Sequence, residues 1–204
     1  MKATFALLAN TEIHNLVRKL EWEAHQKYRT GTIDCRLPPH ISLKQPFKIN
    51  DLAALEAYMS ELASSITPFD VHLTELQLQS MVYKGTEFGL LWIDVQETEQ
   101  LRQLHGRVNK ELSQRFGNTQ ADYDGPAYHF HMTVVMGGQP IEVYQKLYSD
   151  IPDPRINRRY TVRELAMFVY DEPLGPHGEY LAYKILPIGN LDRIKEAANE
   201  PAVG

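Results

Sequence analysis

Cysteine is nearly missing from this sequence. Cys35 is the only one in 204 residues, so no disulfide can form within the chain and a reducing compartment is expected. No activating motif surrounds Cys35, which reads as a small, partly buried residue rather than a nucleophile. Long apolar runs are lacking too: none approaches the ~18 residues of a membrane span. The Ala3–Ala9 run follows only Lys2 and turns polar at once with Asn10-Thr11-Glu12, so it reads as a first strand and not a signal core. A cytoplasmic protein that contacts no membrane is the expectation. Positive charge is not in excess either. The formal net charge of −5 argues against a broad surface for duplex DNA, whose affinity rests on neutralised phosphates, but leaves a local basic patch open. No tract is of low complexity, and 43% hydrophobic with 23% charged residues suits one domain or two small lobes with a substantial buried interior.

What is present is a repeated stretch. Pro39-His40-Ile41-Ser42-Leu43 returns 91 positions later as His131-Met132-Thr133-Val134. Each copy is a histidine, an apolar residue, a hydroxyl residue and another apolar residue. In a strand, alternate side chains share a face, so His40 sits beside Ser42 and His131 beside Thr133, while Ile41, Leu43, Met132 and Val134 point the other way. Two such pairs facing one cleft could grip a phosphate from opposite sides.

Around the repeat, the pattern predicts a strand over Ala3–Leu8 and a helix from an Asn10 or Thr11 cap to about Tyr28. Asp51 caps a second helix with Leu52, Leu55, Met59, Leu62 and Ile66 on one stripe. Strands over Val71–Val82 and Phe88–Val95 are joined by a turn at Gly85, with a bulge expected between Leu73 and Leu76. Thr98 opens a third helix that Gly117 ends. The second histidine strand is expected over Tyr128–Met136, followed by a short helix from Pro140. Pro152–Arg159 reads as a basic loop, Val162–Tyr170 and Tyr180–Ile188 as a strand pair around Pro173–Gly178, and Asn190–Gly204 as a polar tail. Both halves then repeat strand, helix, histidine strand, helix, strand. This predicts a single α+β domain over residues 1–189, bilobal and pseudo-two-fold, with lobes of about 1–87 and 88–189. Two mainly antiparallel sheets would face a central cleft, with helices outside.

Paired His-x-Ser/Thr strands about 90 residues apart, each followed by a helix, with Pro39 directly before the first, resemble the two-histidine (2H) phosphoesterase superfamily, which includes the 2'-5' RNA ligase and cyclic phosphodiesterase branch. The resemblance runs from Met1 to about Gly189. It implies an enzyme without metal or other cofactor, acting on 2',3'-cyclic phosphates or 2'-5' linkages of nucleotides or RNA ends. His40 and His131 would be the catalytic histidines, with Ser42 and Thr133 binding the phosphate. Some ligase-branch members carry an arginine five positions after the second histidine; Met136 stands there, which favours hydrolysis over ligation.

These residue types suit the chemistry. In-line displacement at phosphorus needs one group to take a proton from the attacking water and another to protonate the leaving oxygen, and an imidazole near pKa ~6.5 can do either. Hydroxyls and backbone N–H groups would hold the non-bridging oxygens. The sequence does not divide the acid and base roles between the histidines.

Further residues are candidates for lining the cleft. His129 shares the face of His131, and Lys44 is in phase with His40 and Ser42, as an edge lysine or a phosphate contact. Tyr128, Tyr83, Phe88 and Trp92 could stack a base or serve as strand core. Arg155, Arg158, Arg159 and Arg163 form a basic cluster that could follow a nucleic-acid backbone. Two other functions fit the same residues: a nucleotide- or RNA-end-binding module without turnover, and a metal-dependent hydrolase using His129 and His131, with or without His40.

Overall fold

Period-2 strands and amphipathic helices each leave one apolar face to bury, and the fold satisfies both by laying helices against sheets. The computed structural model describes residues 1–31, 37–83, 85–170 and 181–189. In chain order the elements are β1 (Lys2–Leu8), α1 (Thr11–Tyr28), β2 (His40–Lys48), α2 (Leu52–Ser65), β3 (Phe69–Tyr83), β4 (Thr86–Val95), α3 (Glu99–Phe116), β5 (His131–Met136), α4 (Ile141–Ser149), β6 (Arg155–Val162), β7 (Glu164–Tyr170) and β8 (Leu181–Pro187). Cys35, the Pro173–Gly178 turn and the 190–204 tail lie outside the described residues, as does the side chain of Tyr83. The first three helices start where a side chain supplies the missing acceptor: Asn10, Asp51 and Thr98 accept from the N–H groups of Ile13, Ala54 and Leu101.

The strands form two four-stranded sheets, ordered β2-β1-β7-β8 and β5-β4-β3-β6, and every pairing is antiparallel. This is the expected α+β architecture. Each histidine strand is an edge of its sheet, and β2 and β5 lie against one another. The main core takes Phe5, Leu7, Ile41 and Leu43 from one sheet, Leu91, Ile93, Met132 and Val134 from the other, and Leu55, Leu101 and Val108 from the helices. A separate small cluster, Ala6, Leu8, Ala166 and Phe168, occupies the opposite face of the first sheet, the face of His40 and Ser42.

Three expectations need correction. The lobes are not the sequence halves 1–87 and 88–189: β3 belongs to the sheet of β4, and β7 to the sheet of β1. A boundary at 87/88 would cut the β3–β4 hairpin, whose tight turn at Gly85 (φ +79°) obliges the two strands to pair in one sheet. Pro152–Arg159 is not a loop, since β6 starts at Arg155. Asn157 has a φ of +45° where the register between β3 and β6 shifts, and this bulge breaks the alternation by which the strand could be read. Arg155 pairs with Asp153, and Arg158 lies 3.9 Å from Glu12. Finally, β5 starts at His131 and not Tyr128, because the Tyr128 carbonyl is taken by the Arg102 guanidinium at 2.6 Å instead of by a neighbouring strand.

Candidate active site

The two His-x-hydroxyl stretches are alike beyond their letters. On β2, Ile41 and Ser42 pair with Leu7 and Ala6, and the next partner, Phe5, faces Lys44, so Leu43 is an extra residue. On β5, Met132 and Thr133 pair with Ile93 and Trp92, and the next partner, Leu91, faces Val135, so Val134 is extra. Each strand therefore bulges one residue after its hydroxyl. A bulge bends and twists the strand locally, and here it ends the alternating frame just past each histidine–hydroxyl pair.

Each histidine is also held in the same way. Nδ1 of His40 donates to the carbonyl of Pro38 at 2.9 Å, and Nδ1 of His131 donates to the carbonyl of His129 at 2.9 Å. A carbonyl can only accept, so Nδ1 carries the hydrogen and Nε2 holds the lone pair of the neutral ring. Among the described residues, neither Nε2 has a hydrogen-bond partner, nor do the hydroxyls of Ser42 and Thr133. The site thus presents two proton-transfer nitrogens and two hydroxyls on adjoining sheet edges. Burial lowers both imidazoles, His40 to about 4, and the charge of His131 acts on His40 in the same direction, as does Arg18. His40 is therefore neutral near pH 7 in the free protein.

The aromatic surroundings differ between the two. His40 packs against Phe168 in an edge-to-face contact with ring centres 4.8 Å apart. His131 lies nearly flat on Trp92, with centres 4.1 Å apart and planes inclined at 22°. Trp92 is thus a floor for the histidine; its indole N–H is buried without a partner among the described residues. His129, 56% exposed, stacks on the same indole and bonds the Asp94 carboxylate through Nε2. Its backbone carbonyl, more than its ring, contacts the His131 imidazole. Phe88 lies further along β4, opposite Met81.

Lys44 and Tyr128 do not line the cleft. The bulge at Leu43 turns Lys44 toward the core, where its side chain is 0% exposed and paired with Asp124, itself 5% exposed. The Tyr128 ring stacks on buried His105 at 4.4 Å, and its hydroxyl donates to the Ser42 carbonyl at 3.0 Å. His105 in turn donates from Nδ1 to the Leu43 carbonyl at 2.8 Å, and Asp124 accepts from the Gln45 N–H at 3.3 Å. The outer edge of β2 is thereby fastened, residue after residue, to α3 and the segment before β5.

Asp94, Phe168 and Arg18 were missed from sequence. Asp94 had a signal, as the one carboxylate within the apolar run Leu90–Val95. Phe168 and Arg18 had none, because neither lies near a histidine in sequence. Among the described residues, no three histidine, cysteine or carboxylate side chains converge as a metal-holding group, and no helix is long and apolar enough to cross a membrane.

Comparison with known proteins gives these features a context. A sequence model of the 2'-5' RNA ligase superfamily matches residues 10–173. A protein of Staphylococcus haemolyticus, named only as a phosphoesterase, is 26% identical over 149 residues, covering 71% of this chain and 79% of its own. One from Staphylococcus saprophyticus, similarly named, is 26% identical over 143 residues, with 66% and 73% covered. Among solved structures, TT0787 of Thermus thermophilus superposes with a TM-score of 0.64 at 15% identity, covering 92% of this chain and 98% of that one. Escherichia coli LigT complexed with 3'-AMP does so with 0.54 at 18% identity over the same shares. At these identities, the structural likeness establishes the fold.

Proposed function

From the premise that this chain belongs to the 2'-5' RNA ligase superfamily of 2H phosphoesterases, we propose that it hydrolyses 2',3'-cyclic phosphate or 2'-5' phosphodiester bonds of nucleotides or RNA ends, with His40 and His131 as general acid and base and no metal in the reaction. The observation that carries this reading is the matched pair of Nδ1–carbonyl bonds, to Pro38 and to His129. They fix both rings in one tautomer and leave both Nε2 atoms for proton transfer. One histidine then takes the proton of the attacking water while the other protonates the leaving ribose oxygen. Ser42 and Thr133, each two residues from its histidine, donate to the non-bridging oxygens. Both proton transfers and the charge stabilisation are thus supplied by side chains. That a LigT structure contains 3'-AMP fits a nucleotide ligand.

The test is hydrolysis of the four nucleoside 2',3'-cyclic monophosphates by purified protein in excess EDTA, with His40→Ala and His131→Ala alongside and the 2'- and 3'-phosphate products resolved. Turnover that EDTA leaves intact and both substitutions abolish supports the reading, and the product isomer identifies the leaving oxygen. Activity lost in EDTA and restored by zinc would overturn metal independence. If neither these compounds nor 2'-5' linked oligonucleotides turn over while nucleoside monophosphates still bind, the protein is a binding module.

A further inference from the structure

Corresponding positions beside the two histidines carry different chemistry. On β1, Leu8 stands opposite His40 and Ala6 opposite Ser42. On β4, Asp94 stands opposite His131 and Trp92 opposite Thr133. Backbone and bulge repeat faithfully between the sheets, so the difference lies in the side chains alone.

We propose that Asp94 and Trp92 are positioning residues that make His131 the histidine delivering the proton to the leaving oxygen, and leave His40 to take one from water. The proposal rests on the two-histidine reading above. A carboxylate beside an imidazole favours its charged form, and a cation over an indole face is stabilised by the ring quadrupole. His131 has both: Asp94 across the ladder, and the Trp92 face 4.1 Å away. Other titratable groups facing His131 are His129 on its own strand side, which opposes a second charge when itself protonated, and His40 on β2. Among the described residues, His40 has no carboxylate acting on it. It faces Leu8, Phe168, His131 and the Arg18 guanidinium, and both cationic groups disfavour a proton there.

The step balances. As the water oxygen bonds to phosphorus, its proton passes to His40 Nε2; as the bond from phosphorus to the ribose oxygen breaks, that oxygen takes the proton from His131 Nε2. Release of the His40 proton to solvent and uptake of one by His131 restores the starting state. The Nδ1–carbonyl bonds persist in both charge states, so all exchange occurs at Nε2.

The experiment is an NMR titration of the imidazole ring protons in ligand-free protein, with His40→Gln and His131→Gln assigning the signals. His131 is expected to titrate at higher pH than His40. Asp94→Asn should lower the His131 midpoint by about one pH unit and move the alkaline limb of kcat/KM by a similar amount, leaving the His40 midpoint in place. Trp92→Phe, which keeps a ring with a weaker face, should shift His131 the same way by less. A His40 midpoint above that of His131, or a His131 midpoint unmoved in both variants, overturns the proposal. The titration needs no substrate, so absence of turnover in the parent protein would sink the phosphoesterase reading separately.

Discussion

The Tyr128 hydroxyl donates to the main-chain carbonyl of Ser42 at 3.0 Å, and so links the segment three residues before His131 to the strand two residues after His40. The two histidine strands are edges of different sheets, and among the described residues no backbone ladder joins them. Their relative position is set by side chains: Tyr128 on Ser42, His105 on Leu43, and Asp124 on Lys44 and Gln45. A tyrosine that reads as a base-stacking candidate in the sequence serves to hold the two histidine strands in place.

Tyr128→Phe keeps the ring stack on His105 and removes the two bonds of the hydroxyl, the one donated to the Ser42 carbonyl and the one accepted from the Gln45 side-chain amide at 3.3 Å. We predict that kcat falls by about tenfold with KM within about twofold, because the loss is in alignment of the reacting groups and not in substrate contacts. Stability should fall by about 1 kcal/mol. Steady-state kinetics on a cyclic nucleotide checks this, and an unchanged kcat would show that these bonds have no part in positioning.

Replacing either histidine by alanine is predicted to lower turnover by on the order of 10²–10⁴-fold, the usual worth of acid–base catalysis. The paired Nδ1 bonds motivate this for both residues equally. Single-turnover assays on variants with unaltered circular dichroism give the result, and near-normal turnover in either one would sink the mechanism.

Stability should depend on pH through His40. Its folded imidazole is held down to about 4, chiefly by burial, against an ordinary value of 6.5. Between those values the unfolded chain binds a proton that the folded chain does not, so the His40 contribution is complete above pH 6.5 and is lost as pH falls toward about 4. His131 and His105, both lowered mainly by burial, act with the same sign. The urea midpoint should therefore drop from pH 7 to pH 5, and drop less in His40→Asn. An equal drop in the two proteins would contradict the assignment.

Lys44 is buried against Asp124 at the position matched by Val135 in the other histidine strand. Burial pulls its ammonium below the ordinary range while the carboxylate opposes that. Asp124→Asn leaves this cation without its counter-charge and is predicted to destabilise the protein by ~3–5 kcal/mol. Lys44→Met combined with Asp124→Asn keeps an acceptor for the Gln45 N–H and should recover most of the loss. Urea unfolding of the three proteins decides it: equal stability of the single and double variants would show that the unpaired charge is not what costs.

Taken alone, the sequence determined the helices, most of the strands and the motif, but not β6. Side-chain periodicity and capping are local properties, so α1, α2 and α3, the Asp51 and Thr98 caps, and the two His-x-hydroxyl strands could be read without a fold, while the first cap stayed open between Asn10 and Thr11 until the structure chose Asn10. The facing of His40 with Ser42 and of His131 with Thr133 followed from strand alternation, which holds up to the bulge. Past the bulge it fails, and for that reason Lys44 was placed on the wrong face. What only the tertiary structure decided depends on register and on partners far along the chain. The exchange of β3 and β7 between the sheets follows from hairpin and edge pairing that no single strand encodes. Lys44 turns inward because Asp124, 80 residues away, meets it there. The contrast between Leu8 beside His40 and Asp94 beside His131 exists only once β1 and β4 are laid against the histidine strands, since a residue's electrostatic surroundings are set by neighbours in space.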